Sequence, residues 1–278
     1  MNETLTPTDW AKASGDVWAR RWRDTDRGLE PLQAHLAAAI AERARAGPFK
    51  AFDIGCGPGS TTIEVAKRFP EASIIACDIS EALADVARDR TGENGRVAVV
   101  VGDAEAVAPR QAPTDLFFSR HGVMFFPDPV RGFRALRNAA SDGAGLVFSC
   151  FQDLALNPWA SELADAAAGR PIPPPGRESG GFAFADPNYV LELLDAAGWQ
   201  DTERKAVPFD YVMGEGGDAV DAALSFMTEI GPASRIVESL PERERNLAIE
   251  RICCVIEGRF TGGAVVFPAA AWVWSATA

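Results

Sequence analysis

Between Phe49 and Phe151 short apolar runs alternate with stretches of helical period. Lys50–Ile54, Ser73–Cys77, Val97–Val101, Leu116–Phe118 and Leu146–Phe151 are the runs, mostly β-branched or aromatic. Between them, Ser60–Phe69 places Ile63, Ala66 and Phe69 on one face. The stretch after Ser80 does the same with Leu83, Val86 and Ala87, and that after Asp128-Pro129 with Phe133, Leu136 and Ala140. Ser80 and Asp128 are N-caps, Pro129 suits a first helical position, and Pro70 stops the first helix. Strands apolar throughout are buried on both faces, so the pattern predicts an α/β fold whose mostly parallel sheet carries helices on both sides.

Outside this core the rhythm changes. Two helices, Thr8–Arg23 and Pro31–Ala46, are predicted ahead of the sheet. Pro171–Gly181 reads as a loop, and Asp186-Pro187 opens a helix that ends at Gly198. Arg204–Val212 tolerates Pro208 only as an edge strand. Two or three helices follow, among them Pro241–Gly258, and the chain ends in a strand near Ala269–Ser275. One domain over 1–278 is expected. Within it, 1–46 forms an N-terminal helical cap, 47–151 the cofactor-binding core, 152–185 and 213–262 cap insertions, and 263–278 a terminal strand.

With 278 residues, 47% of them hydrophobic, the chain can bury a core that needs neither disulfide nor metal. Its net charge of −12 repels phosphate backbones and argues against nucleic acid as a partner. Five cysteines without a C-x-x-C pair point to reduced thiols and no metal site, hence to the cytoplasm. The first twelve residues have no apolar core of a signal peptide, and Ala264–Trp274 is too short to span a bilayer, so no membrane partner is expected. The oligomeric state is not legible.

Asp53-Ile54-Gly55-Cys56-Gly57-Pro58-Gly59 lies between a predicted strand and a helix, the context of a nucleoside-binding turn. Glycines let a ligand approach the backbone closely. The third glycine stands at 59, not 60, and Pro58 removes one amide, so the turn suits a ligand without pyrophosphate better than a dinucleotide. Asp78 ends the second strand nineteen residues after Gly59, where a carboxylate can accept from both hydroxyls of a ribose. Asp103 ends the third, placed to accept from an adenine amino group. Each acid alone also reads as a cap or turn residue. Three such features in register at the carboxyl ends of consecutive strands mark a ligand site.

These residues resemble the class I S-adenosylmethionine-dependent methyltransferases. Phe52–Gly59 is similar to that family's first motif, Ile75–Ser80 to its second and Val101–Glu105 to its third. Ser119–Phe126, Asn157-Pro158-Trp159 and the N-terminal stretch with Trp10, Gly15, Trp18 and Pro31 resemble a bacterial group acting on small molecules. The resemblance implies a Rossmann-like, seven-stranded sheet with its last strand antiparallel and helical insertions as a cap. S-adenosylmethionine is the implied cofactor, S-adenosylhomocysteine the product, and a small molecule the methyl acceptor. Gly55, Gly57 and Gly59 would line the methionine part and Asp53 would support the turn and the cofactor amine. Asp78 would hold the ribose, and Asp103 with Ala104 would meet the adenine. Cys56, Ile79, Ser119 and Trp18 complete the implied cofactor contacts.

His121, after the fourth strand, departs from relatives that carry an aromatic residue there. It is the candidate catalytic base or substrate contact, with turn or packing histidine as the other reading. His35 falls on the helix face of Leu32, Leu36 and Ala39, which suits packing or surface. Trp18 and Trp22 share a helix face that is either buried or a pocket wall, and Arg20, Arg21 and Arg23 beside them read as a solvated face. Trp10, Trp18, Trp159, Phe182, Phe184 and Phe226 are expected to wall an acceptor pocket. The alternatives to methyl transfer are a nicotinamide-dependent oxidoreductase and a non-catalytic S-adenosylmethionine-binding protein.

Overall fold

The computed structural model describes residues 7–278. Its sheet runs β3(Val97–Val101)–β2(Ser73–Asp78)–β1(Lys50–Ile54)–β4(Thr114–Arg120)–β5(Ala140–Phe151)–β8(Ala264–Thr277)–β6(Gln200–Glu215), with a two-residue strand, β7(Phe260–Thr261), pairing β8. The pairs among β1 to β5 are parallel, and β8 runs antiparallel to both of its long neighbours. This is the Rossmann-like α/β sheet expected from the sequence. The order reverses between β1 and β4, so the carboxyl ends of those strands flank a crevice where such sheets bind ligands. Phe52, Phe117, Phe118, Phe133, Phe148 and Trp274 fill the core and are fully buried.

Among the described residues three helices precede the sheet: α1(Pro7–Trp10), α2(Ala13–Arg20) and α3(Trp22–Arg43). The expected break at Pro31 does not occur; α3 runs through it. Leu29, Leu32, Leu36 and Ile40 form one buried stripe across the proline. Burying each is worth roughly 1.5–3 kcal/mol, against about 3 kcal/mol for an interior proline. The stripe therefore outweighs the lost backbone bond.

The core helices α4(Ser60–Arg68), α5(Glu81–Thr91), α6(Ala104–Val107) and α7(Pro129–Ala139) follow β1 to β4 in turn. Ser80 and Asp128 cap α5 and α7 as predicted, accepting from the amides of Leu83 and Arg131. Beyond β5 come α8(Pro158–Ala168), α9(Pro187–Ala196) and, between β6 and β7, α10(Ala219–Glu229), α11(Pro232–Ser239) and α12(Glu242–Glu257). Helix α8 packs against α11 and α12. The edge strand β6 is longer than the Arg204–Val212 read from the sequence, because β8 pairs along almost its whole length. No helix among the described residues is long and apolar enough to cross a membrane.

Candidate active site

The glycine turn leaves β1 with Gly55, Gly57 and Gly59 all in the left-handed region, at φ of 61°, 53° and 81°. A side chain at Gly57 would point into open space, so its glycine is required by the backbone and leaves that face of the turn bare. Three amides of the turn are already engaged: Cys56 N–H with Cys77 O, Gly59 N–H with Cys56 O, and Gly57 N–H with Asp78 Oδ2. With Pro58 supplying none, the turn has little left to offer a pyrophosphate.

Asp78 is buried at the end of β2, its Oδ1 accepting from Ser80 N–H at 2.8 Å and its Oδ2 from Gly57 N–H at 2.8 Å. Burial pushes its carboxyl up, against the pull of the Ser80, Gly57 and Ile79 amides. Each carboxylate oxygen keeps a free lone pair, so the group can still receive hydroxyls. Asp103 is exposed one strand away, capping α6 through Glu105 N–H at 2.9 Å, with Ala104 buried beside it. Glu105 Oε1 is buried without a partner among the described residues. The bare glycine turn, the oriented Asp78 and the exposed Asp103 sit at adjacent strand ends and fit a nucleoside with a short neutral or cationic tail.

Asp53 lies beneath the turn, almost wholly buried and accepting from Thr62 Oγ1. Burial above all lifts its carboxyl to about 7, while Thr62 and Arg120 pull it down. In the unfolded chain it titrates near 3.8. The folded state therefore binds the proton more tightly. Its contribution to stability is full below the unfolded value and is lost as pH rises towards 7. Asp53→Asn, which mimics the protonated acid, is expected to flatten this dependence and stabilise the free chain at pH above 7 by a few kcal/mol. Urea unfolding of both chains at acid and alkaline pH checks this; parallel pH profiles would contradict it.

Two predicted contacts reach the site otherwise than expected. Cys56 turns its thiol away from the ligand face into a small cluster with Ala76 and Ala87, where burial holds it well above the usual thiol range. Ser119 is fully buried, its hydroxyl donating to Ile54 O at 2.7 Å and accepting from Gly122 N–H at 3.1 Å. It braces the turn against the β4 loop. Trp18 lies beside Trp10, ring centroids 5.5 Å apart, and Trp10 packs edge-on against Phe125 at 4.6 Å. Helix α2 meets the site at Gly15, where a Cβ would come within 2.2 Å of Ser80 Oγ.

His121 follows β4 with a left-handed backbone, φ 63°. Its N–H bonds Ser149 O at 3.2 Å, its Nδ1 lies 2.9 Å from Ser149 Oγ, and its ring packs on Phe151 at 4.2 Å. Nε2 is buried with no partner among the described residues. Burial, then the charge of Arg120, lowers its pKa to about 3. The aromatic wall continues from Phe151 to Trp159 at 5.0 Å and Phe182 at 5.5 Å, and Trp159 stacks on Tyr211 at 5.0 Å. Phe184 and Phe226 do not join it; they are almost wholly buried, and Phe184 packs with Phe133 and Phe148. His35 is exposed on α3.

One polar network escaped the sequence reading. Asp26 of α3 accepts from Arg120 Nη2 and Ser60 Oγ, each at 2.5 Å, and pairs with Arg90 Nη1 at 2.9 Å. Arg90 also donates to Pro58 O at 2.8 Å and stacks on Trp22. Trp22 is thereby a platform for Arg90. Arg21, expected on a solvated face, instead joins Asp24 and Glu229. Apart from Arg21–Asp24, these pairs join elements tens of residues apart, which spacing along the chain could not reveal.

Residues 51–143 match the methyltransferase-domain family. A trans-aconitate 2-methyltransferase of Methylobacterium radiotolerans is 32% identical over 161 residues, covering 53% of this chain and 59% of that protein. A malonyl-[acyl-carrier protein] O-methyltransferase 1 of Ilyobacter polytropus is 30% identical over 103 residues, 37% of this chain and 38% of that protein. The chain thus spans less than two thirds of the length of these curated relatives. Among solved structures, a candidate methyltransferase of Bacillus halodurans superposes with TM-score 0.56 at 16% identity, covering 88% of this chain and 98% of that one. A Haemonchus contortus phosphoethanolamine N-methyltransferase 2 in complex with S-adenosyl-L-methionine gives 0.54 at 14%, covering 99% and 60%. At such identities the structural likeness speaks for the fold. The sequence match places a methyltransferase domain over residues 51–143, within the core of this chain.

Proposed function

We propose that the protein transfers a methyl group from S-adenosylmethionine to a small-molecule acceptor, releasing S-adenosylhomocysteine. The observation that carries the reading is the glycine turn, three of whose amides are spent internally, set beside a buried, oriented Asp78. That arrangement receives a ribose and rejects a pyrophosphate, and so disfavours a nicotinamide cofactor. Gly55, Gly57 and Gly59 would line the methionine part, Asp53 would face its amine, Asp78 the ribose, and Asp103 with Ala104 the adenine.

The cofactor, when bound, supplies a methyl group activated by a sulfonium. The residues orient and exclude water, which is most of what an in-line displacement requires. Ser119 and Gly122 hold the β4 loop against the turn, Asp26 ties α3 to Ser60 and Arg120, and Trp10, Trp18 and Phe125 shield the opening from solvent. The relatives named above act on trans-aconitate and on a malonyl group, which favours a small acyl acceptor entering by the His121–Phe151–Trp159 wall.

The reading is tested by calorimetric titration with S-adenosylhomocysteine, followed by transfer of labelled methyl from S-adenosylmethionine to a panel of small carboxylates, phenols and amines. Binding with transfer to at least one acceptor is expected. A folded chain that binds neither form of the cofactor would refute it, and one that binds without transfer to any acceptor would favour the non-catalytic alternative.

A further inference from the structure

The bond between Ser149 and His121 assigns the proton on the imidazole. A hydroxyl can donate or accept, but its hydrogen must go somewhere when buried. Ser149 is fully buried, and among the described residues Nδ1 of His121 is the one partner its hydroxyl has. If Nδ1 carried the proton and donated to Ser149 Oγ, the serine hydrogen would be left without an acceptor in the core. With Ser149 donating to Nδ1, the serine hydrogen has its acceptor and the proton of the neutral ring sits on Nε2. That N–H is the atom left unpartnered at the aromatic wall. The left-handed backbone of His121 strengthens the point. A non-glycine residue there costs about 1–3 kcal/mol, which persists only where surrounding contacts hold it. The two bonds to Ser149 and the Phe151 contact are those contacts.

Next to this donor lies the Arg120 guanidinium, whose carboxylate partner is shared. Asp26 is one carboxylate shared by two guanidiniums, Arg90 and Arg120. The second acceptor of Arg120 is the neutral Gln33, at 3.3 Å. Asp53 accepts its hydrogen bond from Thr62 and reaches Arg120 through charge alone. The Arg120 side chain is only 9% exposed, so solvent does little to screen its charge.

We propose that His121 works as a neutral Nε2–H donor, fixed in that tautomer by the positioning residue Ser149, and that with Arg120 it forms a carboxylate-binding subsite at the end of β4. The proposal rests on the methyl-transfer reading and names the acceptor it suits. Methylation of a carboxylate forms an O–C bond and breaks the sulfonium S–C bond, the electron pair passing to sulfur. No proton moves, so no base is required, and a histidine that offers a proton rather than taking one is compatible with the reaction. The same chemistry would also hold the carboxylate at the methionine end of the cofactor, and the test separates the two sources.

The chain has two histidines, so nitrogen-15 spectra of histidine-labelled protein are simple, and His35→Gln assigns them. His121 is expected with its proton on Nε2 and with no titration across about two pH units around neutrality, where an ordinary histidine changes charge. Ser149→Ala is expected to release the tautomer into a mixture while the chain stays folded. A carboxylate should then shift the Nε2–H signal. A shift with S-adenosylhomocysteine but not with 5′-methylthioadenosine, which lacks the amino-acid carboxylate, assigns the subsite to the cofactor. A further shift when trans-aconitate is added to the S-adenosylhomocysteine complex assigns it to the acceptor. A proton on Nδ1, titration near the ordinary histidine value, or a signal that no carboxylate moves would overturn the proposal. The tautomer is read on the free chain, so its failure is distinct from a failure to bind cofactor.

Discussion

Asp78→Ala is expected to lower the affinity for S-adenosylhomocysteine at least about a hundredfold. The carboxylate is the proposed acceptor of both ribose hydroxyls, and hydrogen bonds to a charged group are worth about 1.5–3 kcal/mol each. At about 1.4 kcal/mol per decade, losing two gives a hundredfold or more. Alanine also strips the acceptors from Gly57 N–H and Ser80 N–H, which loosens the turn itself. The effect therefore exceeds that of deleting a ligand contact alone. Asp89 is exposed near the end of α5, and Asp89→Ala is expected to bind like the parent chain. Calorimetric titration of both variants measures the difference; equal affinities would remove Asp78 from the ribose.

Gly122→Ala is the second large effect expected, and it acts through the backbone. A Cβ at this position would lie 2.5 Å from Ile54 O, 2.9 Å from Ser119 Oγ and 3.1 Å from Gly55 Cα. Two of these are backbone atoms of the turn and cannot rotate aside, so the β4 loop must move off it. Forcing one extra carbon into a packed site costs about 1–3 kcal/mol, a fall in Tm of roughly 2 to 5 °C for a chain of this size. Cofactor affinity should fall with it, because Gly55 is displaced. Gly95→Ala meets nothing within 4 Å and is expected to leave both quantities unchanged. A Gly122→Ala chain as stable as the parent would mean that the loop and the turn are not locked together.

Much of this site was legible in the chain because it is local. The turn from Asp53 to Gly59, the acids at 78 and 103 and the caps at Ser80 and Asp128 each lie within a few residues of the element they serve. What the sequence hid depends on pairing over distance. Cys56 sits in the ligand turn, yet its thiol packs on Ala76 and Ala87, which only the β2–α5 placement reveals. Ser119 reads as a ligand contact until its hydroxyl is found spent on Ile54 and Gly122. Pro31 suggested a helix start, but the apolar stripe from Leu29 to Ile40 carries α3 through it. That continuity aims Asp26 and Gln33 at Arg120. The role of His121 likewise lay beyond the sequence, since it turns on Ser149, twenty-eight residues further on.

The central claim is that the crevice between β1 and β4 takes S-adenosylmethionine, and calorimetric titration of the unaltered chain with S-adenosylhomocysteine and, separately, with NAD tests it most directly. Saturable one-to-one binding of S-adenosylhomocysteine with no heat from NAD is the result predicted. Binding of NAD in its place, or of neither ligand by folded protein, would contradict it.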